Sequence, residues 1–522
     1  MTAAHEFVDA RRLDAGTVLE ADICVVGAGA AGIVLALQLS AAGHRTLLLE
    51  AGGLDADSWT TELFRGDNLG MPYWSLDECR EHRFGGTTYK YGGHSLPVTR
   101  RDFAPVPGVP LASWPITYGD VAPWVAHAER MLGYEQADFD VSACLKRAGW
   151  PDPVSHPNLA ETSVFARDAA TVKPYPRRFA DAIAAARNLE IVVHAVVTRV
   201  ALDPAGQRVV GLDVGTESGR SVHVDAREYV LACHAVENAR LLLDSDDVVA
   251  GGIGNPSGLL GRCFMDHPQV DAGRVHFSRG VPRHLVYPDA SRHGFAACVT
   301  APQRVTDAAS CLQYFCRLLP VEHEHRAAAA AATLTRTWRH PRGRAFRGAL
   351  GVTVRDPGHA SIGLARVAGI RSREFVLNHR IEQAPNPESR IVLVDERDAL
   401  GRRRAGVDWQ LCDVDARTLE VGQAAALRYL ERIGATRVRG ARTDVEFLAA
   451  AGATYWHHIG TTRMSESPAD GVVDRDCRVH GVGNLSVAGS SVFCRATFSP
   501  PTMTIVAFAL RLADALDRRL RS

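Results

Sequence analysis

Residues 22–53 read "DICVVGAGAAGIVLALQLSAAGHRTLLLEAGG". The β-branched run before Gly27 predicts a strand, the Ala/Leu-rich run after Gly32 a helix, and "TLLLE" a second strand ending in Glu50. Gly27, Gly29 and Gly32 form GxGxxG between the first strand and the helix, and Glu50 lies eighteen residues beyond the last glycine. Gly27 makes the tight turn, Gly29 lets the backbone approach a pyrophosphate at the helix N-terminus, and Gly32 permits close packing of helix on strand. Glu50 is placed to accept hydrogen bonds from both ribose hydroxyls. The unit is a dinucleotide-binding βαβ opening, and the motif alone serves NAD and FAD alike.

The placement of the later elements helps to choose. In an NAD dehydrogenase the remaining parallel strands come directly after the opening, whereas here the next strand-to-helix unit is "REYVLACHAVENARLLLDS" at 227–245. A further strand and turn wait until "NLSVAGSSVF" at 484. A long, buried FAD held by distant segments suits that dispersal. Between them, 55–187 is irregular and rich in Gly, Pro and Trp, with helical stretches at "DVAPWVAHAERML" and "RRFADAIAAARN"; "LEIVVHAVVTRVALD" and "RVVGLDV" read as a meander. From 268 to 446, "QVDAGRVHFS", "FVLNHRIEQAP" and "SRIVLVDERDALGRRRAGVDWQL" predict an antiparallel sheet, followed by a helix through "ARTLEVGQAAALRYLERIG". The expected class is α/β, a Rossmann-like FAD-binding domain (15–115, 188–267 and 447–522) interleaved with an α+β substrate-binding domain and cap (116–187 and 268–446).

The bulk numbers fit a large globular enzyme. The chain has 522 residues, 46% hydrophobic and 23% charged, with 59 Lys plus Arg against 59 Asp plus Glu. No overall field favours nucleic acid or an anionic membrane. Eleven scattered cysteines without a CxxC read as a reduced, cytoplasmic chain. No apolar run reaches the ~20 residues of a membrane span. The pair Arg11-Arg12 is not read as an export signal, because the apolar run behind it is the nucleotide motif.

Six stretches together resemble the glucose-methanol-choline (GMC) oxidoreductases: the opening motif, "RFGGTTYKYGG" at 83, "VENARLLLDS" at 236, "NPSGLLGRCFMDHP" at 255, "NPESRIVL" at 386, and "HHIGTTRM" through "PTMTIVAFALRLAD" at 457–514. They keep the family's order along nearly the whole chain. The resemblance implies oxidation of an alcohol by hydride transfer to FAD. It assigns Gly27, Gly29, Gly32, Glu50 and Ala51 to the ADP half, Val197 to a backbone contact with adenine, and Gly86, Thr87, Tyr91 and Gly92 to the flavin or pyrophosphate. Tyr89 and Tyr91 stand where the family often has Asn and Trp. Gly489 and Ser490 resemble the second pyrophosphate and ribitol contact, with Pro501 and Thr502 near the flavin ring at the start of the last helix. Lys90 occupies the position of histidyl attachment, which implies dissociable FAD. The implied substrate is a sugar-like, cyclitol, nucleoside or terpenoid alcohol; the sequence names no electron acceptor, oxygen or other.

His457 matches the family's catalytic histidine, and an imidazole of pKa near ~6.5 suits proton abstraction from a hydroxyl. Its usual partner is an Asn or His one residue before the helix-starting proline. Counting back from Thr504 puts Pro500 there, a side chain that neither donates nor accepts, so His458, Ser499 or a bound water must replace it. The alternative reading is a GMC-fold flavoprotein with non-oxidative, lyase-type chemistry. No metal is expected: "VEHEHR", with His323 and His325, reads as a solvated loop. Cys311, Cys316 and Cys494 read as packing residues, and Arg100-Arg101 and Arg402 to Arg404 as solvated clusters.

Overall fold

The computed structural model describes residues 7–134, 139–153, 160–167, 173–290, 293–321, 372–451 and 454–522, and singly 330, 334, 349, 350 and 352. The motif folds as read. Strand Val18–Val26 runs through Gly27 into helix Ala30–Ala41 and returns as Thr46–Leu49. These strands sit in an eight-stranded sheet in the order Phe7–Asp9, Leu189–Val193, Thr46–Leu49, Val18–Val26, Ser221–Leu231, Val209–Gly215, Val196–Leu202, with Leu485–Val487 alongside Ser221–Leu231. All run parallel to Val18–Val26 except Val209–Gly215, which lies antiparallel between Ser221–Leu231 and Val196–Leu202 and makes a meander with them. Leu189–Val193 does not belong to the meander: the left-handed His194 (φ 55°) separates the strands, and Leu189–Val193 pairs in parallel with Thr46–Leu49.

Helix Ala30–Ala41 is apolar nearly all round because one face lies on the sheet and the other meets the last helix, Thr502–Arg521. A Cβ on Gly32 would stand 1.8 Å from the Gly27 carbonyl oxygen, so only glycine lets this helix settle on its strand. The last helix in turn covers Ala122–Met131.

A second sheet, antiparallel throughout, orders Ala435–Arg439, Gln269–Phe277, Glu374–Ile381, Tyr314–Pro320, Phe295–Thr300, Glu161–Arg167 and His94–Ser95. Two of its strands come from the stretch read as irregular. Helix Asp413–Arg432 lies against this sheet, with Gly422 so close to the Tyr314 ring that a Cβ would fall at 2.2 Å. The hairpin Arg390–Arg397 and Arg403–Asp408, expected in this sheet, forms a separate three-stranded sheet with Asp67–Asn68.

The arginines of that hairpin are also not solvated as expected. Arg402 is buried on Asp398, which Arg240 also reaches at 2.8 Å; Arg403 pairs with Asp244 and Asp246, and Arg404 is buried with Glu62. The reason is tertiary: helix His234–Asp244 passes beneath the hairpin, its Asp244 carboxylate and Leu243 carbonyl accepting from Arg403 while its Arg240 donates to the Arg403 carbonyl. Arg101 likewise donates to the Ala301 carbonyl, while Arg100 is exposed. His323, His325 and the alanine tract after them lie outside the described residues.

Candidate active site

Segments from both sheets enclose one cavity of about 560 Å³. Gly27, Gly29, Glu50, Ala51 and Val197 line it, as do Gly86, Thr87, Tyr91, Gly92, Gly489, Ser490, Pro500, Pro501, Thr502, His457 and His458. Gly32 is absent from the lining, as its packing role requires. A Cβ placed on Gly29 or Gly489 meets nothing within 4 Å, so these two glycines leave open space where a pyrophosphate would come close. Glu50 is buried, accepting from Ala28 N and Gly52 N at 3.0 Å each, which fixes its carboxylate at the end of its strand. The string of open glycines between Glu50 and His457 fits a long dinucleotide.

Lys90 is tied down by the Glu78 and Arg80 carbonyls and by Glu81. Tyr91 bonds Ser95 and Tyr134 through its hydroxyl. Ser499 does not line the main cavity: it turns to a small neighbouring pocket shared with Thr497 and Thr504. Cys494 is buried, donating to the Met464 carbonyl, and does not line the cavity either.

The chain reaches the last helix along a firmly anchored path. Arg495 grips Glu382 with two bonds of 2.9 Å, both side chains buried, and the Ala104 carbonyl accepts from it. Removing one partner of such a pair costs ~3–5 kcal/mol. Two residues on, Thr497 adopts φ 53°, a left-handed turn that an L side chain rarely takes. Its carbonyl oxygen then stands 2.7 Å from His267 Nε2. Helix Thr502–Arg521 comes next, its first full bond running from Ile505 N to the Pro501 carbonyl.

His267 is the residue that connects this path to His457. Its Nδ1 lies 2.7 Å from His457 Nδ1, and its Nε2 faces the Thr497 and Ala496 carbonyls. A carbonyl only accepts, so His267 Nε2 carries the proton. Burial, reinforced by the Arg380 charge, lowers the His267 pKa to about 4, so its Nδ1 is bare and His457 Nδ1–H donates to it. Burial first, then the His267 and Arg380 charges, hold His457 well below its ordinary value. His457 is therefore neutral with Nε2 unprotonated, the tautomer of a proton acceptor. Asp266 fixes the backbone, taking His267 N and His457 N on one oxygen and the Tyr73 hydroxyl on the other.

Trp456, at φ 60°, places His458 on a different set of partners: His458 Nδ1 meets His234 at 2.9 Å and its ring stacks on Phe264. Asp266, His267 and His457 bring ligand atoms within 4.8 Å of one another. Their 2.7 Å Nδ1 separation is that of a hydrogen bond, since two nitrogens on one tetrahedral zinc at ~2.0–2.1 Å stand ~3.3 Å apart.

Residues 385–509 match the family model described as GMC oxidoreductase, and residues 22–251 that described as FAD dependent oxidoreductase. The two models together support a GMC-family FAD oxidoreductase. The chain is an FAD-dependent enzyme of the class that acts on CH–OH donors. It is 26% identical to 6'''-hydroxyparomomycin C oxidase of Streptomyces lividus, over 96% of this chain and 92% of that protein. It is 27% identical to paromamine 6'-oxidase of Streptomyces fradiae, over 95% and 91%. Among solved structures, pyridoxine 4-oxidase from Mesorbium loti superposes with a TM-score of 0.54 at 18% identity, covering 95% of this chain and 98% of that one. A fungal aryl-alcohol oxidase gives 0.56 at 14%, covering 96% and 99%. These two likenesses show the fold.

Within this GMC enzyme, sequence reasoning missed His267, Arg317, Arg380 and Tyr455. His267 lies in the quoted "MDHP", and nothing local distinguishes it from a packed core histidine. Arg380 left a trace, a charge inside the apolar strand Glu374–Ile381. Among the described residues no helix is long and apolar enough to cross a membrane.

Proposed function

We propose that this GMC enzyme oxidises a CH–OH group of a small to medium alcohol, sugar-like, cyclitol, nucleoside or terpenoid, to a carbonyl, with His457 as general base. The observation that supports this most is the directed pair His267–His457, which leaves His457 Nε2 bare on the cavity wall. When bound, FAD supplies the hydride acceptor. The chain's own work is then to hold the hydroxyl near Nε2, take its proton there, and exclude water with Trp74, Phe165, Phe315 and Trp456. A positioned base of this kind is worth ~10²–10⁴ in rate.

Gly27, Gly29, Glu50, Ala51 and Val197 hold the ADP half, with Gly86, Thr87, Tyr91, Gly92, Gly489, Ser490, Pro501 and Thr502 along the rest of FAD. Partial positive charge at the start of helix Thr502–Arg521 favours an electron-rich ring beside it, by ~0.3–2 kcal/mol. FAD is bound without a covalent link, because Lys90 stands where the attaching histidine would; acid precipitation should leave the colour in solution, and yellow pellets would refute this. The segments 15–115, 188–267 and 447–522 form the cofactor domain in this reading, and 116–187 with 268–446 the substrate-binding domain and cap.

The same cavity carries Pro500, so a non-oxidative reaction is the second reading. Anaerobic mixing with alcohols, sugars and nucleosides decides between them. Bleaching of the flavin band by one of them, slowed ~10²–10⁴-fold in His457→Ala, is expected. Turnover unaffected by that substitution, or equal turnover with a flavin analogue unable to accept hydride, would end the oxidative reading.

A further inference from the structure

The wall of the cavity beyond His457 is cationic. Arg380 is buried to 5% exposure, yet its Nε meets no acceptor and no carboxylate pairs with it among the described residues. Its Cζ lies 3.3 Å from the centroid of the Tyr455 ring, and that ring stacks on His457 with centroids 5.9 Å apart. Arg317 joins from the neighbouring strand. It donates to the Tyr455 hydroxyl at 3.0 Å and to Asn378 at 2.6 Å, and lies over the Tyr287 ring, again without a carboxylate. Both arginines line the cavity.

Among the described residues, five of the six other buried arginines face a carboxylate. Arg80 faces Glu237, Arg240 and Arg402 face Asp398, Arg404 faces Glu62, and Arg495 faces Glu382. The sixth, Arg463, donates to the Leu111 carbonyl and Cys263 Sγ and does not line the cavity. The nearby acids are already engaged: Asp266 by two backbone N–H groups and Tyr73, Asp271 by Asn378. Burying a guanidinium without an anion is costly. Burial lowers the Arg380 pKa, and the two positive charges hold Tyr455 below its ordinary value against the effect of its own burial. With Arg380 Nε unpartnered and Arg317 hydrogen-bonded, among the described residues, only to Asn378 and the Tyr455 hydroxyl, the site is short of negative charge.

We propose that Arg380 and Arg317 form an oxyanion subsite, so that the natural substrate of this enzyme is an alcohol that also carries a carboxylate or phosphate group. The inference rests on the reading of the cavity as an alcohol-oxidising site. A guanidinium that lines the cavity and has no carboxylate suits charge-assisted hydrogen bonds to an oxyanion, which fix orientation as well as position. The anion held there sets which hydroxyl of the substrate reaches His457.

The test uses the holoenzyme, with sodium acetate and inorganic phosphate as probes against sodium chloride at equal ionic strength. Expected are a saturable rise in Tm and a saturable flavin difference spectrum with acetate or phosphate and neither with chloride, the better probe identifying the group. Arg380→Met should weaken probe binding at least tenfold. Without a probe it should be no less stable than the parent, since an apolar side chain replaces an unpaired charge. No saturable response to either anion would overturn the proposal, as would an unchanged response in Arg380→Met or Arg317→Met, which would leave the arginines as stacking partners of Tyr455 and Tyr287. If instead the oxidative reading fails, no alcohol bleaches the flavin while the anion titration still succeeds.

Discussion

His267 and His457 share a single hydrogen bond between their Nδ1 atoms, 2.7 Å long, whose direction is set by the Thr497 and Ala496 carbonyls behind His267. That direction is what the usual partner before the helix proline does not provide here. Orientation of the base comes from behind its ring, and Pro500 is relieved of the task.

His267→Phe should therefore keep FAD and fold while lowering kcat roughly tenfold to a hundredfold, less than the ~10²–10⁴ of removing the base itself. The acid limb of kcat/KM, placed below pH 6.5 in the parent because burial first holds the His457 pKa down, should shift once the acceptor on His457 Nδ1 is gone. A limb that stays in place would make His267 a packing residue only.

Stability should fall on mild acidification. The pKa values of His267, His284 and His379 are lowered to about 4 and that of His458 to about 3, in each case first by burial. Between those values and ~6.5 the unfolded chain binds protons that the folded chain refuses, so unfolding gains as pH drops through this window. Each fully buried imidazole contributes on the order of 3 kcal/mol over the window. Tm measured at pH 7.5 and pH 5 checks this, and equal values would contradict it.

Two glycines of one motif should respond in opposite ways. Gly29→Ala adds a methyl in open space on the cavity, so apoprotein Tm stays the same while FAD affinity drops tenfold or more. Gly32→Ala drives a methyl into the Gly27 carbonyl at 1.8 Å and should destabilise the fold itself, by ~1–3 kcal/mol or more. Fluorescence titration with FAD and thermal melts of both apoproteins separate the two effects.

Pro500→Asn returns an amide to the cavity wall at the position the family often fills with a polar side chain. The variant should fold, retain FAD, and change kcat or the ratio of kcat/KM between two alcohols at least threefold. Unchanged kinetics would show that the reaction makes no use of this position.

The part of this protein that the sequence by itself determined is local and periodic. The βαβ opening, the close packing of Gly32 on Gly27 and the start of the last helix come from residue type at short spacing, because turns, helix starts and close backbone approaches are decided within a few residues. His457 is singled out by the family resemblance instead. The hairpin arginines show the limit. "GRRRAG" reads as a solvated turn until helix His234–Asp244 is seen beneath it, with Asp244 ready to receive Arg403. The proton direction at the active site is likewise tertiary: His267 and His457 are 190 residues apart, and the carbonyl that orients them comes from a third segment. So is the cationic wall, where the second sheet sets Arg317 and Arg380 beside Tyr455 while the acids near them are spent on other bonds. Which partner a buried polar group finds, and which it lacks, is fixed by chain crossing rather than by spacing.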